Sequence, residues 1–173
     1  GEGLRVADVG TGTGAIAIAL AIHLPGCQVV ATDISEPALE VARWNAEQHG
    51  VSERITFVEC DLLEGVSGDS FDLICSNPPY VSEAEFLELD QGIREYEPRT
   101  ALVAGDDGTE LIKRLLAEGY LMLSSGGRLI IELSPMIADV CQDYVEQIAE
   151  LDDLRFIKDL AGNQRILSVS RST

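Results

Sequence analysis

Positive charge is scarce in this sequence of 173 residues. Twelve Lys and Arg residues stand against 30 Asp and Glu residues, which gives a formal net charge of −18 at pH 7. Because contacts to phosphates need clustered Lys and Arg, this balance weighs against a nucleic-acid partner. Apolar runs of membrane-spanning length and a signal peptide are also missing, so we expect no membrane association and a cytoplasmic location.

Histidine and cysteine are sparse as well. The two histidines, His23 and His49, fall near predicted helix ends, and we interpret both as surface residues. The four cysteines are scattered along the chain without a CxxC pair. This arrangement favours buried free thiols in a reducing compartment over a disulfide framework, and it predicts no metal site.

Apolar residues are plentiful, at 46% of the chain, and we expect residues 1–173 to form one domain. Short β-branched runs alternate with helical patterns. The predicted strands are "LRVADVG", "CQVVATD", "RITFVEC", "FDLICS", "GRLIIEL", "RFIKDL" and "RILSVS". The predicted helices are "GAIAIALAIHL", "PALEVARWNAEQHG", "GTELIKRLLAEGYLML" and "MIADVCQDYVEQIAEL". Repeated βα units predict an α/β fold, a doubly wound, seven-stranded, mostly parallel sheet of Rossmann-like type. Only "AGNQ" separates the last two strands, so we expect them to form an antiparallel hairpin.

One long segment does not follow the strand–helix alternation. "VSEAEFLELDQGIREYEPRTALVAGDDG", residues 81–108, is acidic and weakly periodic. A connection of this length within a compact domain is usually a functional lid or a binding segment. We therefore expect it to take part in substrate binding.

A glycine-rich loop, "DVGTGTG", joins the first predicted strand to the first helix. Gly10, Gly12 and Gly14 allow a tight turn and a close approach to a ligand, in front of the unpaired N–H groups of a helix N-terminus. Asp33 ends the second strand, where a carboxylate takes ribose hydroxyls in nucleotide-binding βαβ units. With Ala15, the loop also satisfies the G-x-G-x-x-A dinucleotide pattern, and a glycine turn that only packs helix on strand is a third interpretation.

Asp8 makes a pyrophosphate ligand less favourable, because a carboxylate repels phosphates but suits a cation. S-adenosylmethionine carries a sulfonium and an ammonium group, and its ribose could lie on Asp33. Asp61 and Leu62 follow the third strand, where they could bind an adenine amino group and pack on the ring. Ordinary loop chemistry with a capping Asp explains these two residues equally well.

The fourth predicted strand ends in an unusual corner, Asn77, Pro78, Pro79 and Tyr80. If this strand neighbours the first, the corner lies beside the glycine loop. The Asn77 side-chain carbonyl and the Pro78 backbone carbonyl could accept both N–H groups of a planar amide or aromatic amine, with Tyr80 as a flat wall. These neutral acceptors would strengthen their hydrogen bonds as the nitrogen gains positive charge. A proline-rich turn without catalytic function is the alternative.

Four segments together resemble the HemK/PrmC-type protein-(glutamine-N5) methyltransferases: "VADVGTGTGAIAIALA", "ATDISEPALEVARWNA", "DLICSNPPYV" and "EPRTALVAGDDG". The resemblance implies a class I methyltransferase fold, S-adenosylmethionine as methyl donor and S-adenosylhomocysteine as product. It implies the glutamine of the GGQ motif of peptide-chain release factors as substrate. The implied cofactor contacts are Asp8, Gly10, Thr11, Gly12, Thr13, Gly14, Asp33, Ile34, Asp61, Leu62 and Asn77. The implied substrate contacts are Asn77, Pro78, Pro79, Tyr80, Glu97 and Pro98.

The sequence departs from the family pattern in two places. The sequence starts at the first predicted strand, so we expect it to lack the N-terminal helical domain that docks the release factor in the family. Where the family tends to carry E-x-G-x-x-Q, Glu132 is followed by Ser134 and Ile137. Three alternatives stay open: a nucleobase amino group or a ribosomal-protein glutamine as substrate, and a binding domain without catalysis.

Overall fold

The computed structural model describes residues 3–66, 68, 70–82, 86, 87, 92, 99, 102–105 and 107–173. The strands are β1 Arg5–Val9, β2 Gln28–Asp33, β3 Ile55–Glu59, β4 Phe71–Ser76, β5 Leu123–Glu132, β6 Leu151–Lys158 and β7 Gln164–Arg171. The helices are α1 Ala15–His23, α2 Glu36–Gln48, α3 Glu110–Met122 and α4 Ala138–Val145. The predicted start of α2 is confirmed, since the Ser35 side chain accepts a hydrogen bond from the Ala38 N–H group.

The strands form one seven-stranded sheet in the order β3-β2-β1-β4-β5-β7-β6. Strands β1 to β5 pair in parallel, whereas β7 pairs antiparallel with both β5 and β6. The predicted fold class and the C-terminal hairpin are therefore confirmed. The order reverses between β1 and β4, and the switch point of such a sheet is where α/β proteins bind ligands.

Successive strand residues point to opposite faces of the sheet. Both faces carry apolar side chains, and helices cover both. On one face, Ala7 and Ile74 pack with α3 residues such as Leu115. On the other face, Val6 and Ala17 of α1 belong to a second core cluster. These two apolar layers fix the ends of the central strands, and with them the loops that follow.

The last predicted helix is shorter than its sequence pattern indicates. The segment begins as a 3₁₀ turn, Pro135–Ile137, and α4 ends at Val145. Beyond it, the N–H groups of Ile148 and Leu151 bond to carbonyls three residues earlier, which are turn bonds. The apolar periodicity continues through these turns because Ile148 and Leu151 still pack against the core.

Three of the four cysteines are buried free thiols as predicted, and Cys60 is half-buried. Within the described residues, no helix is both long enough and apolar enough to cross a membrane.

Candidate active site

The carboxyl ends of β1, β2 and β4 meet at one edge of the sheet. Val9 lies opposite Thr32 of β2 on one side and opposite Ser76 of β4 on the other. The Ser76 hydroxyl donates a hydrogen bond to the Val9 carbonyl at 2.7 Å, which ties the two strand ends together. The glycine loop, Asp33 and Asn77 directly follow or end these strands, so the topology brings the predicted residues to one crevice.

The glycine loop has the backbone conformation that its composition predicts. Gly12 and Gly14 have φ angles of 55° and 82°, in the left-handed region that favours glycine. Apart from its chain neighbours, no atom of the described residues lies within 4 Å of where a Gly12 Cβ would stand, whereas a Gly14 Cβ would lie 3.1 Å from the Ala42 Cβ. Gly12 thus leaves space in front of the loop, and Gly14 lets α1 pack closely on α2.

Asp33 is fixed by two backbone hydrogen bonds. Its Oδ2 atom accepts from the Gly12 N–H group at 2.8 Å, and its Oδ1 atom accepts from the Ser35 N–H group at 2.9 Å. A carboxylate has about four lone-pair sites, so both oxygens keep acceptor capacity. The carboxylate therefore holds the loop and can still accept two neighbouring hydroxyl groups.

Asp8 is fully buried below the same loop. Its Oδ2 atom accepts from the Thr11 hydroxyl at 2.6 Å and from the Ala17 N–H group at 2.9 Å. Its Oδ1 atom is buried without a hydrogen-bond partner among the described residues. Burial raises the pKa of Asp8 to about 6, against the lowering effect of these two hydrogen bonds. An unpaired buried carboxylate oxygen is costly, and a cationic ligand would relieve that cost.

Asp61 and Leu62 are held by contacts that the sequence pattern does not show. The Asp61 carboxylate accepts two hydrogen bonds from the Arg114 Nη1 atom, at 3.0 and 3.3 Å. The Leu62 carbonyl accepts from the Thr32 hydroxyl at 2.7 Å, and Leu62 itself has a φ angle of 51°. The Leu62 side chain is partly buried against the main core. Their contact with an adenine ring stays a prediction.

The NPPY corner, residues 77–80, changes from exposed to buried within two positions. Asn77 is exposed, Pro78 is buried, and Pro79 and Tyr80 are half-buried. Tyr80 packs against the main core cluster. The corner therefore places an exposed asparagine at the end of β4, followed by residues that are anchored against the core. The predicted contacts Glu97 and Pro98 lie outside the described residues.

A family model described as "Methyltransferase small domain" matches residues 2–93 of the chain. The chain belongs to this methyltransferase family. It is 52% identical to a release factor glutamine methyltransferase of Rhodopirellula baltica, over 96% of this chain and 57% of the relative. It is 51% identical to one of Chlorobaculum tepidum, over 74% and 45%. The chain thus spans about half the length of the curated relatives it matches. These relatives confirm the family resemblance drawn from the sequence.

Solved structures show the same fold. The crystal structure of a ribosomal protein L11 methylase from Lactobacillus delbrueckii subsp. bulgaricus superimposes with a TM-score of 0.72 and 26% identity. The match covers 99% of this chain and 71% of that one. The shared fold therefore extends over almost all of this chain.

Ser134 and Ile137, the two residues after β5 that depart from the family pattern, have structural roles in this chain. The Ser134 hydroxyl accepts a hydrogen bond from the Met136 N–H group at 3.3 Å and caps the 3₁₀ turn. Ile137 is buried in the main core cluster. Both substitutions thus belong to the local packing at the start of α4.

Two further residues, Ile34 and Asn45, lie near the glycine loop or the carboxylate that holds it. Ile34 is 67% exposed directly after Asp33, so an apolar side chain faces outward beside the carboxylate. The Asn45 Nδ2 atom of α2 donates to the Thr13 carbonyl at 2.9 Å. The sequence does not predict the Asn45–Thr13 hydrogen bond, because the two residues are 32 positions apart. The α2 pattern marks Asn45 only as a polar helix residue.

Proposed function

We propose that this chain transfers a methyl group from S-adenosylmethionine to the side-chain amide nitrogen of a protein glutamine. The substrate we propose is the GGQ glutamine of a peptide-chain release factor, in the cytoplasm. The observation that carries this proposal is the position of Asn77, exposed at the end of β4, where Ser76 is bonded to the end of β1 beside the glycine loop. The names of the similar proteins support the substrate class.

The residues present fit S-adenosylmethionine. Asp33 has spare acceptor capacity for ribose hydroxyls, and the unpaired Oδ1 atom of Asp8 suits a positively charged group. Gly12 leaves open space for a close approach. When bound, the cofactor supplies an electrophilic methyl group on a positively charged sulfur. Asp8, Gly10–Gly14, Asp33, Ile34, Asp61, Leu62 and Asn77 are the residues that we propose hold it.

The NPPY corner offers two hydrogen-bond acceptors that could activate an amide nitrogen as a nucleophile. An amide nitrogen is a poor nucleophile because its lone pair is delocalised into the carbonyl group. In our proposal the Asn77 side-chain carbonyl and the Pro78 backbone carbonyl accept its two N–H groups and orient the lone pair. Both acceptors are neutral, and their hydrogen bonds strengthen as positive charge develops on the nitrogen. Tyr80, packed against the core, offers a fixed wall for the planar amide.

A nucleobase amino group is the second candidate substrate, because it is a planar N–H donor of the same kind. The formal net charge of −18 disfavours it, since a nucleic acid is repelled by such a surface. A ribosomal-protein glutamine is a close variant of the first candidate. A binding domain without catalysis could still use the unpaired Asp8 Oδ1 atom to hold a ligand, but it leaves the exposed Asn77 of the NPPY corner without a role.

A methyl-transfer panel separates these substrates. The protein is incubated with radiolabelled S-adenosylmethionine and one of four acceptors: a GGQ release factor, its GGQ glutamine-to-asparagine variant, a pool of ribosomal proteins, or DNA with ribosomal RNA. The proposal predicts label on the release factor alone and none on its glutamine variant. Label on ribosomal protein or nucleic acid points to the other substrates, and no label on any acceptor contradicts catalysis.

A further inference from the structure

The long segment after the NPPY corner returns to it. We call the described residues 102–105, 107 and 108 the return segment. The Val81 N–H group donates to the Leu102 carbonyl at 2.9 Å, and the Ala104 N–H group donates to the Val81 carbonyl at 3.0 Å. Val81 and Val103 thus form a parallel bridge outside the main sheet. Since Val81 follows Tyr80 directly, this bridge holds the end of the corner.

Gly108 of the return segment packs against the backbone of the corner. It is buried, with a φ angle of 76°. A Cβ atom at this position would lie 2.6 Å from the Tyr80 carbonyl oxygen and 3.4 Å from the Ser82 nitrogen. Carbon and oxygen atoms do not approach so closely without a shift. The obstacle is backbone, so it cannot rotate away as a side chain would.

Gly108 is anchored on its other side by the start of α3. The Asp107 carboxylate accepts from the Thr109 N–H group at 2.8 Å, and the Lys113 N–H group bonds to the Thr109 carbonyl. Thr109 and Ile112 are buried. A side chain at position 108 would therefore push the Tyr80 peptide rather than α3.

We propose that the return segment is a positioning element for catalysis and that Gly108 is its key positioning residue. The inference rests on the proposed function. The start of α3 fixes the position of Gly108. Because Gly108 has no side chain, the Tyr80 carbonyl oxygen can lie directly against it. Pro78 and Pro79 have locked φ angles, so a shift at Tyr80 is passed back toward Asn77 instead of being absorbed.

Gly105 provides a matched control. It lies in the same segment and has a positive φ angle of 93°, so an alanine there carries the same kind of backbone strain. Its Cβ atom would meet the Glu110 carboxylate at 2.7 to 2.9 Å. That carboxylate also accepts a long hydrogen bond from the Asp107 N–H group at 3.4 Å, but it is the far end of a flexible side chain and not backbone, so it can shift more readily than the Tyr80 peptide. Gly105→Ala therefore tests strain in the segment without pressure on the corner.

The experiment compares wild type, Gly108→Ala and Gly105→Ala in three measurements: the melting temperature, the affinity for S-adenosylhomocysteine, and the single-turnover rate with saturating cofactor. We expect Gly108→Ala to lower the rate by about 10- to 100-fold, the effect of a small misplacement of reacting groups. The two variants should bind S-adenosylhomocysteine with the same affinity. Gly105→Ala should keep most of the wild-type rate. Equal rates for the two variants overturn the inference.

A second variant covers the case in which Gly108→Ala does not fold. Ala104→Pro removes the N–H group that bonds to the Val81 carbonyl. We expect a slower rate at unchanged cofactor affinity, together with faster hydrogen exchange of the Val81 amide. A wild-type rate in Ala104→Pro overturns the inference.

The two proposals fail in different ways. If wild type methylates nothing in the acceptor panel, the proposed function fails. In that case the Val81 amide still tests the positioning element, because Gly108→Ala and not Gly105→Ala should speed its exchange. If wild type methylates a different acceptor, the same rate comparison is made with that acceptor.

Discussion

At the scale of single residues, Asp8 combines a raised pKa with a position directly below the glycine loop. It is fully buried, one of its oxygens has no partner among the described residues, and burial raises its pKa from an ordinary value of 3.8 to about 6. Between these two values the folded protein binds a proton that the unfolded chain does not bind. The stability contributed by this group is therefore fully present below about pH 4 and is lost as the pH rises through about 6.

The first prediction follows from this titration. A cation beside Asp8 favours the carboxylate, so the affinity for S-adenosylhomocysteine, which keeps the ammonium group, should rise with pH through about 6. Asp8→Asn should remove that part of the pH dependence and weaken binding at neutral pH. Calorimetry from pH 5 to 8 measures both effects. The same slope in wild type and variant would remove Asp8 from this role.

Asp33 gives the second prediction at residue scale. Asp33→Ala should weaken S-adenosylmethionine binding by about 1.5–3 kcal/mol, the usual size of hydrogen bonds to a charged group. Asp33→Asn keeps an acceptor oxygen for the Gly12 N–H group and serves as the control for loop structure. Unchanged affinity in the alanine variant argues against the ribose contact, and tight binding of NAD(H) by wild type favours the dinucleotide interpretation.

At the scale of elements, α2 supports the glycine loop from the side. The Asn45 Nδ2 atom donates a hydrogen bond to the Thr13 carbonyl at 2.9 Å. Asp33 of β2 accepts a hydrogen bond from the Gly12 N–H group. The loop is therefore hydrogen-bonded at the consecutive residues Gly12 and Thr13, by β2 and α2 respectively. These two hydrogen bonds hold the loop within the protein itself, so we expect the loop to be ordered for ligand binding.

The third prediction concerns the Asn45–Thr13 hydrogen bond. Asn45→Ala should weaken cofactor binding by about 0.5–1.5 kcal/mol, the net value of one hydrogen bond that orders the loop. Gln48→Ala, at an exposed position of the same helix, is the control for helix propensity and should leave affinity unchanged. Equal effects of the two substitutions on cofactor affinity would assign the loss to helix stability.

The elements themselves show what the sequence can predict. β1, the glycine loop and α1 follow from local signals, since a β-branched run, glycines and an apolar helix are contiguous in the chain. The predicted end of α4 is wrong because the apolar spacing continues through turns that pack on the core. The Arg114–Asp61 pair joins residues 53 positions apart, and the Gly108–Tyr80 contact depends on the path of a long connection. No local pattern encodes either contact.

The strand order governs function at the scale of the whole molecule. β1 and β4 are distant in sequence but adjacent in the sheet, with the parallel strands on both sides of them. This adjacency brings the glycine loop and the NPPY corner to one edge of the sheet, which the sequence predicted only through the doubly wound topology. The placement of Glu97 and Pro98 as substrate contacts remains a prediction from the family resemblance.

The central claim, that the NPPY corner holds the nucleophile, is tested most directly by single-turnover methyl transfer in Asn77 variants. Each protein must first be shown to be folded and saturated with cofactor. Asn77→Ala should lower the rate by about 10²–10³-fold, as for loss of one preorganised polar partner in a transition state. Asn77→Asp keeps an acceptor oxygen and should retain more activity than Asn77→Ala. Wild-type rates in both variants would contradict the claim and make the corner a structural turn.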